Sequence, residues 1–165
     1  MRLLIRAAAL LLLAAAPLLA QAPPVLHLPG VTDKTVDPAS LLGRGQQDVR
    51  LEDSTGNTTV YHGLALLEVL EKSGLDVKSM ASQRAAAAKV VLATARDGYT
   101  VAFSIGELTA NRSNPRVFLV AESSEGPLEA DKGPVRLIVY GDVARSAYAL
   151  ARIEVKALAE NKPAR

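Results

Sequence analysis

Arg136, Tyr140 and Arg145 are the residues of this chain best suited to hold a ligand. In the run Val135-Arg136-Leu137-Ile138-Val139-Tyr140, strand geometry sends successive side chains to opposite faces. Val135, Leu137 and Val139 then share one face, and Arg136, Ile138 and Tyr140 share the other. A guanidinium beside Ile138 and Tyr140 either snorkels its head to water or lines a polar pocket for an anion or heterocycle. The sequence leaves both open. Gly141-Asp142 follow, then Arg145-Ser146, so one loop offers a carboxylate, a guanidinium and a hydroxyl. Arg145 is there either a ligand contact or half of a surface salt bridge. Asp97-Gly98-Tyr99 is first a hairpin turn leading into a strand. Its functional alternative is Asp97 as acceptor for an amino-heterocycle.

The inventory argues against several catalysts. The chain has no cysteine and two histidines, His27 and His62. These cannot readily supply the ligand set of a zinc site. Gly43-Arg44-Gly45 lacks the lysine-serine pair and the helix of a phosphate loop. No Ser-His-Asp arrangement stands out, and His62, just ahead of a helix, reads as structural. Glu125-Gly126-Pro127 and Lys132-Gly133-Pro134 are turn chemistry.

The elements that must position these residues follow from periodicity. Val25–Leu28 is a short strand within an extended, Pro- and Gly-rich segment over 21–46. Val49 and Leu51 alternate with Arg50 and Glu52, the turn Ser54–Asn57 follows, and Thr58–Tyr61 is the returning strand. A helix is expected over Leu64–Lys72, with Leu66, Leu67 and Leu70 on one face and a stop at Gly74. Ser79–Ala88 is alanine-rich but has no apolar stripe, and reads either as a helix or as a mobile connection. Lys89–Ala95 and Tyr99–Phe103 flank Asp97-Gly98 as a hairpin. Ser104–Leu108 is a short helical turn, Val117–Ala121 a buried central strand, and Val135–Tyr140 another strand. The last strand contains Ile153 and Val155. Strands outnumber helices and local turns join them, so the expected class is mixed α+β. One domain is expected over 47–158, with a loose tail over 159–165.

Residues 1–20 read as a secretory signal. Arg2 and Arg6 precede about a dozen apolar residues, short of the ~20 that span a bilayer, and Ala20-Gln21-Ala22 offers a cleavage site near 20–22. The expected location is periplasmic or secreted. Without Arg2 and Arg6, the 19 basic residues fall to the 17 of the acidic count. A near-neutral protein lacks the basic field of a nucleic-acid binder. Without disulfides, the hydrophobic core must carry the fold alone.

Several landmarks occur in a fixed order: Tyr61-His62-Gly63-Leu64 before a leucine-rich helix, Asp97-Gly98-Tyr99, Gly126-Pro127-Leu128, Gly133-Pro134-Val135-Arg136-Leu137 and Arg152-Ile153-Glu154-Val155. On these, from about Val49 to Val155, the chain resembles the molybdopterin-binding domain of the sulfite-oxidase-like oxidoreductases. The resemblance implies that family's strand-rich fold and a pterin ligand. The chain departs from the family where it matters most. The molybdenum-ligating cysteine corresponds to the stretch Leu51–Asn57, which here holds none. Tyr140 stands where a proline is usual, and the chain lacks the enzymes' additional domains. It is similar instead to small exported members that bind a pterin without molybdenum and report it to a membrane-bound signalling protein.

The leading expectation is therefore an exported, non-catalytic pterin-binding module without stoichiometric metal. On that reading Asp97 or Asp142 accepts from the amidine edge of the ring. Tyr99 or Tyr148 stacks on its face, and Arg136 and Arg145 clamp a ring oxygen or side chain. The alternatives are a molybdopterin-dependent oxidoreductase or its accessory subunit, and an interaction module without ligand.

Overall fold

The computed structural model describes residues 21–43, 45–53 and 55–158. The segment over 1–20 read as a secretory signal, Arg44, Ser54 and the tail expected over 159–165 lie outside the described residues. Among the described residues the protein is strand-rich, with three short α-helices and two sheets. No described helix is long and apolar enough to cross a membrane.

The first sheet contains β1 (Val25–His27), β2 (Lys34–Thr35), β5 (Lys89–Ala95), β6 (Thr100–Ser104) and β10 (Leu150–Ala157). Their order is β2-β1-β10-β5-β6, with β1 parallel to β10 and the other pairs antiparallel. The segment read as an N-terminal extension contributes Leu26, Leu28, Val36 and Leu41 to the main core. The Asp97-Gly98 turn joins β5 to β6, with Gly98 N donating to Ala95 O at 3.0 Å.

The second sheet is antiparallel: β3 (Gln47–Glu52), β4 (Thr58–Ala65) and β7 (Val117–Ser123), with β8 (Gly126–Pro127) and β9 (Arg136–Val139) both on β7. Its inner face gives Leu64, Val117, Leu119, Leu137 and Val139 to the main core. Its outer face makes a second cluster from Val49, Ala65, Phe118, Val120 and Ile138, with Leu51, Tyr61 and Tyr140 packed against it. The alternation expected around Arg136 is thus present, each parity facing its own cluster. The sheet also curls. Arg50 N, on edge strand β3, donates at 2.7 Å to the phenol of Tyr140, just beyond β9. This bond satisfies a donor that an edge strand otherwise leaves to solvent or to a second chain.

Helix α1 (Leu66–Ser73) begins two residues later than its periodicity suggested, because Leu64 and Ala65 pair with Leu119 and Phe118 as the end of β4. His62 is accordingly a strand residue, its Nδ1 3.2 Å from Asp48 Oδ1. Helix α2 (Met80–Ala87) settles the ambiguous alanine-rich stretch. Ser79 and Ser82 form a reciprocal capping box that satisfies its first donors, which substitutes for the missing apolar stripe. Helix α3 (Ile105–Ala110) is capped by Ser104, whose hydroxyl accepts from Glu107 N, and it packs on α1, α2, β5 and β6.

The β4–β7 contact depends on Gly63. A Cβ there would lie 2.0 Å from Leu119 O, a backbone atom that cannot swing aside. Gly63→Ala should cost about 1–3 kcal/mol through overpacking. Urea denaturation of the two proteins measures this, and equal midpoints would show that β4 and β7 separate without cost.

Candidate functional site

Two concave regions collect the candidate residues, and a single stretch of chain after β9 borders both. The first is a groove of about 480 Å³ between the β5–β6 turn and residues 146–149. Asp97 Oδ1 accepts from Tyr99 N at 2.9 Å, which fixes the turn, and Tyr99 OH donates to Ala144 O. Arg96 N donates to Ala149 O at 3.0 Å, tying the hairpin tip to the opposite wall. Ala149 is held at φ 46° by its own N–H, which donates to Lys132 O at 2.9 Å. That left-handed conformation is uncommon for a residue with a Cβ. It falls beside Tyr148, which lines the groove with Tyr99. Tyr148 and Tyr99 are 48% and 45% exposed, so both leave aromatic surface open beside the groove.

Arg136 stands behind this groove and outside its lining. It is 5% exposed, and no carboxylate pairs with it among the described residues. Its Nη1 donates to Tyr61 OH at 2.7 Å, and its Cζ lies 4.9 Å from the Tyr61 ring centre and 4.2 Å from that of Tyr148. Its Nε is buried without a partner. Of the two readings open for Arg136, the burial of the residue runs against snorkelling. Two aromatic faces take the place of water around the cation.

The second region is a cleft of about 460 Å³ between α1, α3 and the turn after β9, and it holds Tyr140, Asp142 and Arg145. Arg145 Nε donates to Asp142 Oδ2 at 2.7 Å and its Nη1 to Glu107 Oε1 at 3.0 Å, while its Cζ sits 5.2 Å from the Phe103 ring centre. The hydrogen bond from the Arg145 side chain, chiefly, holds the Asp142 carboxyl below the usual aspartate range. Asp142 and Glu107 in turn raise the Arg145 guanidinium. Arg145 is thus committed to protein carboxylates. The Tyr140 phenol is likewise committed to Arg50 N, and its ring meets Phe118 edge-on with centres 5.7 Å apart.

The seven candidates therefore divide. Asp97, Tyr99 and Tyr148 share the groove, Tyr140, Asp142 and Arg145 share the cleft, and Arg136 is buried behind Tyr148. The expected convergence of Arg136 and Arg145 on one ligand does not occur, because each guanidinium engages a different set of protein groups. Arg116, Glu107 and Arg112 also line the cleft, and their sequence spacing points to no shared site. Arg116 leads directly into a continuously apolar strand, but nothing local in the sequence marks it as part of a site.

Within Leu51–Asn57, where the resemblance would set a metal-ligating cysteine, the described residues bond around Asp53. Its Oδ1 accepts from Thr55 N at 2.8 Å, Thr55 Oγ1 at 2.6 Å and Asn57 N at 3.0 Å. The Thr55 hydroxyl also accepts from Asn57 Nδ2 at 2.8 Å. No protein-family model and no curated protein matches this chain.

The Asp142–Arg145 link carries a pH dependence of defined sign. A carboxyl whose folded value is depressed stabilises the folded form above its unfolded value, and that contribution fades as pH falls through the folded one. The Arg145 Nε–H resonance should stay sharp and slowly exchanging down past the ordinary aspartate range, then broaden on further acidification. In Asp142→Asn it should be broad already at neutral pH. A sharp resonance in that variant would show that Glu107 alone fixes the guanidinium.

Proposed function

We propose that this chain is an exported pterin-binding module of the sulfite-oxidase-like fold, with the Tyr99–Tyr148 groove as the seat of the ring. One observation carries the reading: Tyr148 lines the groove half exposed, and the guanidinium of Arg136 is stacked on its ring at 4.2 Å. An aromatic ring held by such a contact is a stacking platform whose ordering cost is already met before a ligand arrives. Tyr99 supplies the second aromatic surface. Asp97 uses Oδ1 for the turn, which leaves Oδ2 for the amidine edge of a pterin. The groove volume lies within the ~300–1,000 Å³ usual for small-molecule sites.

The order of the sequence landmarks and the strand-rich, two-sheet architecture both support the family assignment. A chain without cysteine offers no thiolate for molybdenum, so the proposed ligand is the pterin itself. On the same reading the protein acts by presenting the bound ring to the ectodomain of a membrane-bound signalling partner, and the groove's exposed rim is where such a partner would sense occupancy.

Calorimetric titration of the wild type and three variants with 7,8-dihydropterin tests this. Tyr148→Ala should weaken binding roughly five- to a hundred-fold, the scale of losing one stacking surface. Asp97→Asn should weaken it about tenfold by turning an acceptor edge partly into a donor. Arg145→Ala, in the other cleft, should bind like the wild type. Absence of wild-type binding, or undiminished affinity in Tyr148→Ala, overturns the proposal.

A further inference from the structure

The pterin reading leaves the Tyr140–Arg145 cleft without an occupant, yet the cleft has the construction of a binding site. Three arginines reach it, and two are neutralised within the protein. Arg145 is held by Asp142 and Glu107, and Arg112 makes two parallel bonds of 3.0 Å to the Glu71 carboxylate. Arg116 differs. Its Nη2 donates to Tyr140 O at 3.1 Å, and no carboxylate pairs with it among the described residues.

Arg116 is nevertheless held in place. Tyr140 N donates back to Arg116 O at 2.8 Å, so the two residues clasp each other through the backbone. Gly141, at φ 73°, leaves the space the guanidinium occupies, since a Cβ there would lie 2.8 Å from Arg116 Nη2. A guanidinium has five N–H donors, and the carbonyl of Tyr140 takes one direction of the fork. The remaining donors are free for a planar acceptor.

The rest of the lining narrows what that acceptor belongs to. Leu67, Leu108, Val117 and Val139 give the cleft an apolar floor. Glu68, Glu71, Glu107 and Asp142 stand around it, and Lys72 pairs with Glu68 at 2.9 Å, so four carboxylates are balanced by Lys72 and the three guanidiniums. That balance disfavours a dianion such as phosphate and tolerates a single negative charge brought directly onto Arg116. The fork of arginine matches a carboxylate in geometry. We propose that the cleft is a second binding site, for a small branched aliphatic carboxylate with its acid on Arg116 and its hydrocarbon on the Leu67–Val139 floor. This inference does not depend on the pterin reading.

The test uses 3-methylbutanoate as probe, with 3-methylbutanamide as its uncharged analogue and acetate as its tailless one, titrated into ¹⁵N-labelled protein. Expected are saturable shifts at the Gly141 and Asn111 amides with 3-methylbutanoate. Affinity should be about tenfold lower for the amide, which lacks the charge, and for acetate, which lacks the tail. Arg116→Gln, at an exposed position, should keep the fold by circular dichroism and reduce 3-methylbutanoate to the level of the amide. Equal binding of acid and amide to the wild type, undiminished binding to folded Arg116→Gln, or no shifts at all overturns the proposal. The wild-type comparison of the probes decides the matter even where the variant does not fold. Displacement of 3-methylbutanoate by 7,8-dihydropterin would make the two sites one, and would also overturn it.

Discussion

A guanidinium buried without a carboxylate is costly, and the packing around Arg136 is what makes it tolerable. Removing a charge from water costs several kcal/mol, and an opposite charge is the usual remedy. Here the remedy is aromatic: the Tyr61 phenol accepts one hydrogen bond, and the rings of Tyr61 and Tyr148 cover the cation. Each desolvated cation–π contact contributes roughly 2 kcal/mol, and a hydrogen bond to a charged group about 1.5–3. Tyr61 belongs to β4, Arg136 to β9, and Tyr148 to the segment entering β10. The cation therefore fixes three separate parts of the chain to one another, and it holds Tyr148 at the edge of the groove.

The same segment serves the cleft. Residues 142–149 run from Asp142 and Arg145 at the cleft to Ser146 and Tyr148 at the groove. Leu137 and Ala147 exchange backbone hydrogen bonds of 2.8 and 3.0 Å, and Val139 N donates to Ser146 Oγ at 3.0 Å. At the groove end Ala149 is locked between Lys132 and Arg96. A strip anchored at this many points is rigid, so both regions are preorganised by the same backbone. The curl of the second sheet adds to this. Tyr140 closes it onto Arg50, and its carbonyl accepts from Arg116 where Gly141 leaves room for the guanidinium.

Much of the secondary structure was legible in the residues themselves. Lys89–Ala95 was expected as a strand and is one, and the parity of Val135–Tyr140 reached its two clusters as alternation requires. The misreadings are local in the same way. Leu64 and Ala65 have helix-compatible side chains, and only pairing with Leu119 and Phe118 extends the strand through them. The candidate site was legible as a set of residue types and not as an arrangement. Asp97, Tyr99 and Tyr148 do share a groove, but Arg136 and Arg145, nine positions apart, serve different neighbours.

Sequence alone determined what depends on near neighbours: period-two alternation, the Asp97-Gly98 turn, the capacity of Ser79 to cap a helix, and the absence of a thiolate. Tertiary structure decided what depends on distant partners. Arg136 finds Tyr61 across 75 positions and Arg145 finds Glu107 across 38, so whether each guanidinium is available to a ligand is settled by packing. Arg116 is the converse case. Its sequence neighbourhood is unremarkable, and only the fold sets it against Gly141 with most of its donors free. A charge's role is fixed by which opposite or aromatic groups reach it first, and a linear pattern carries no record of that competition.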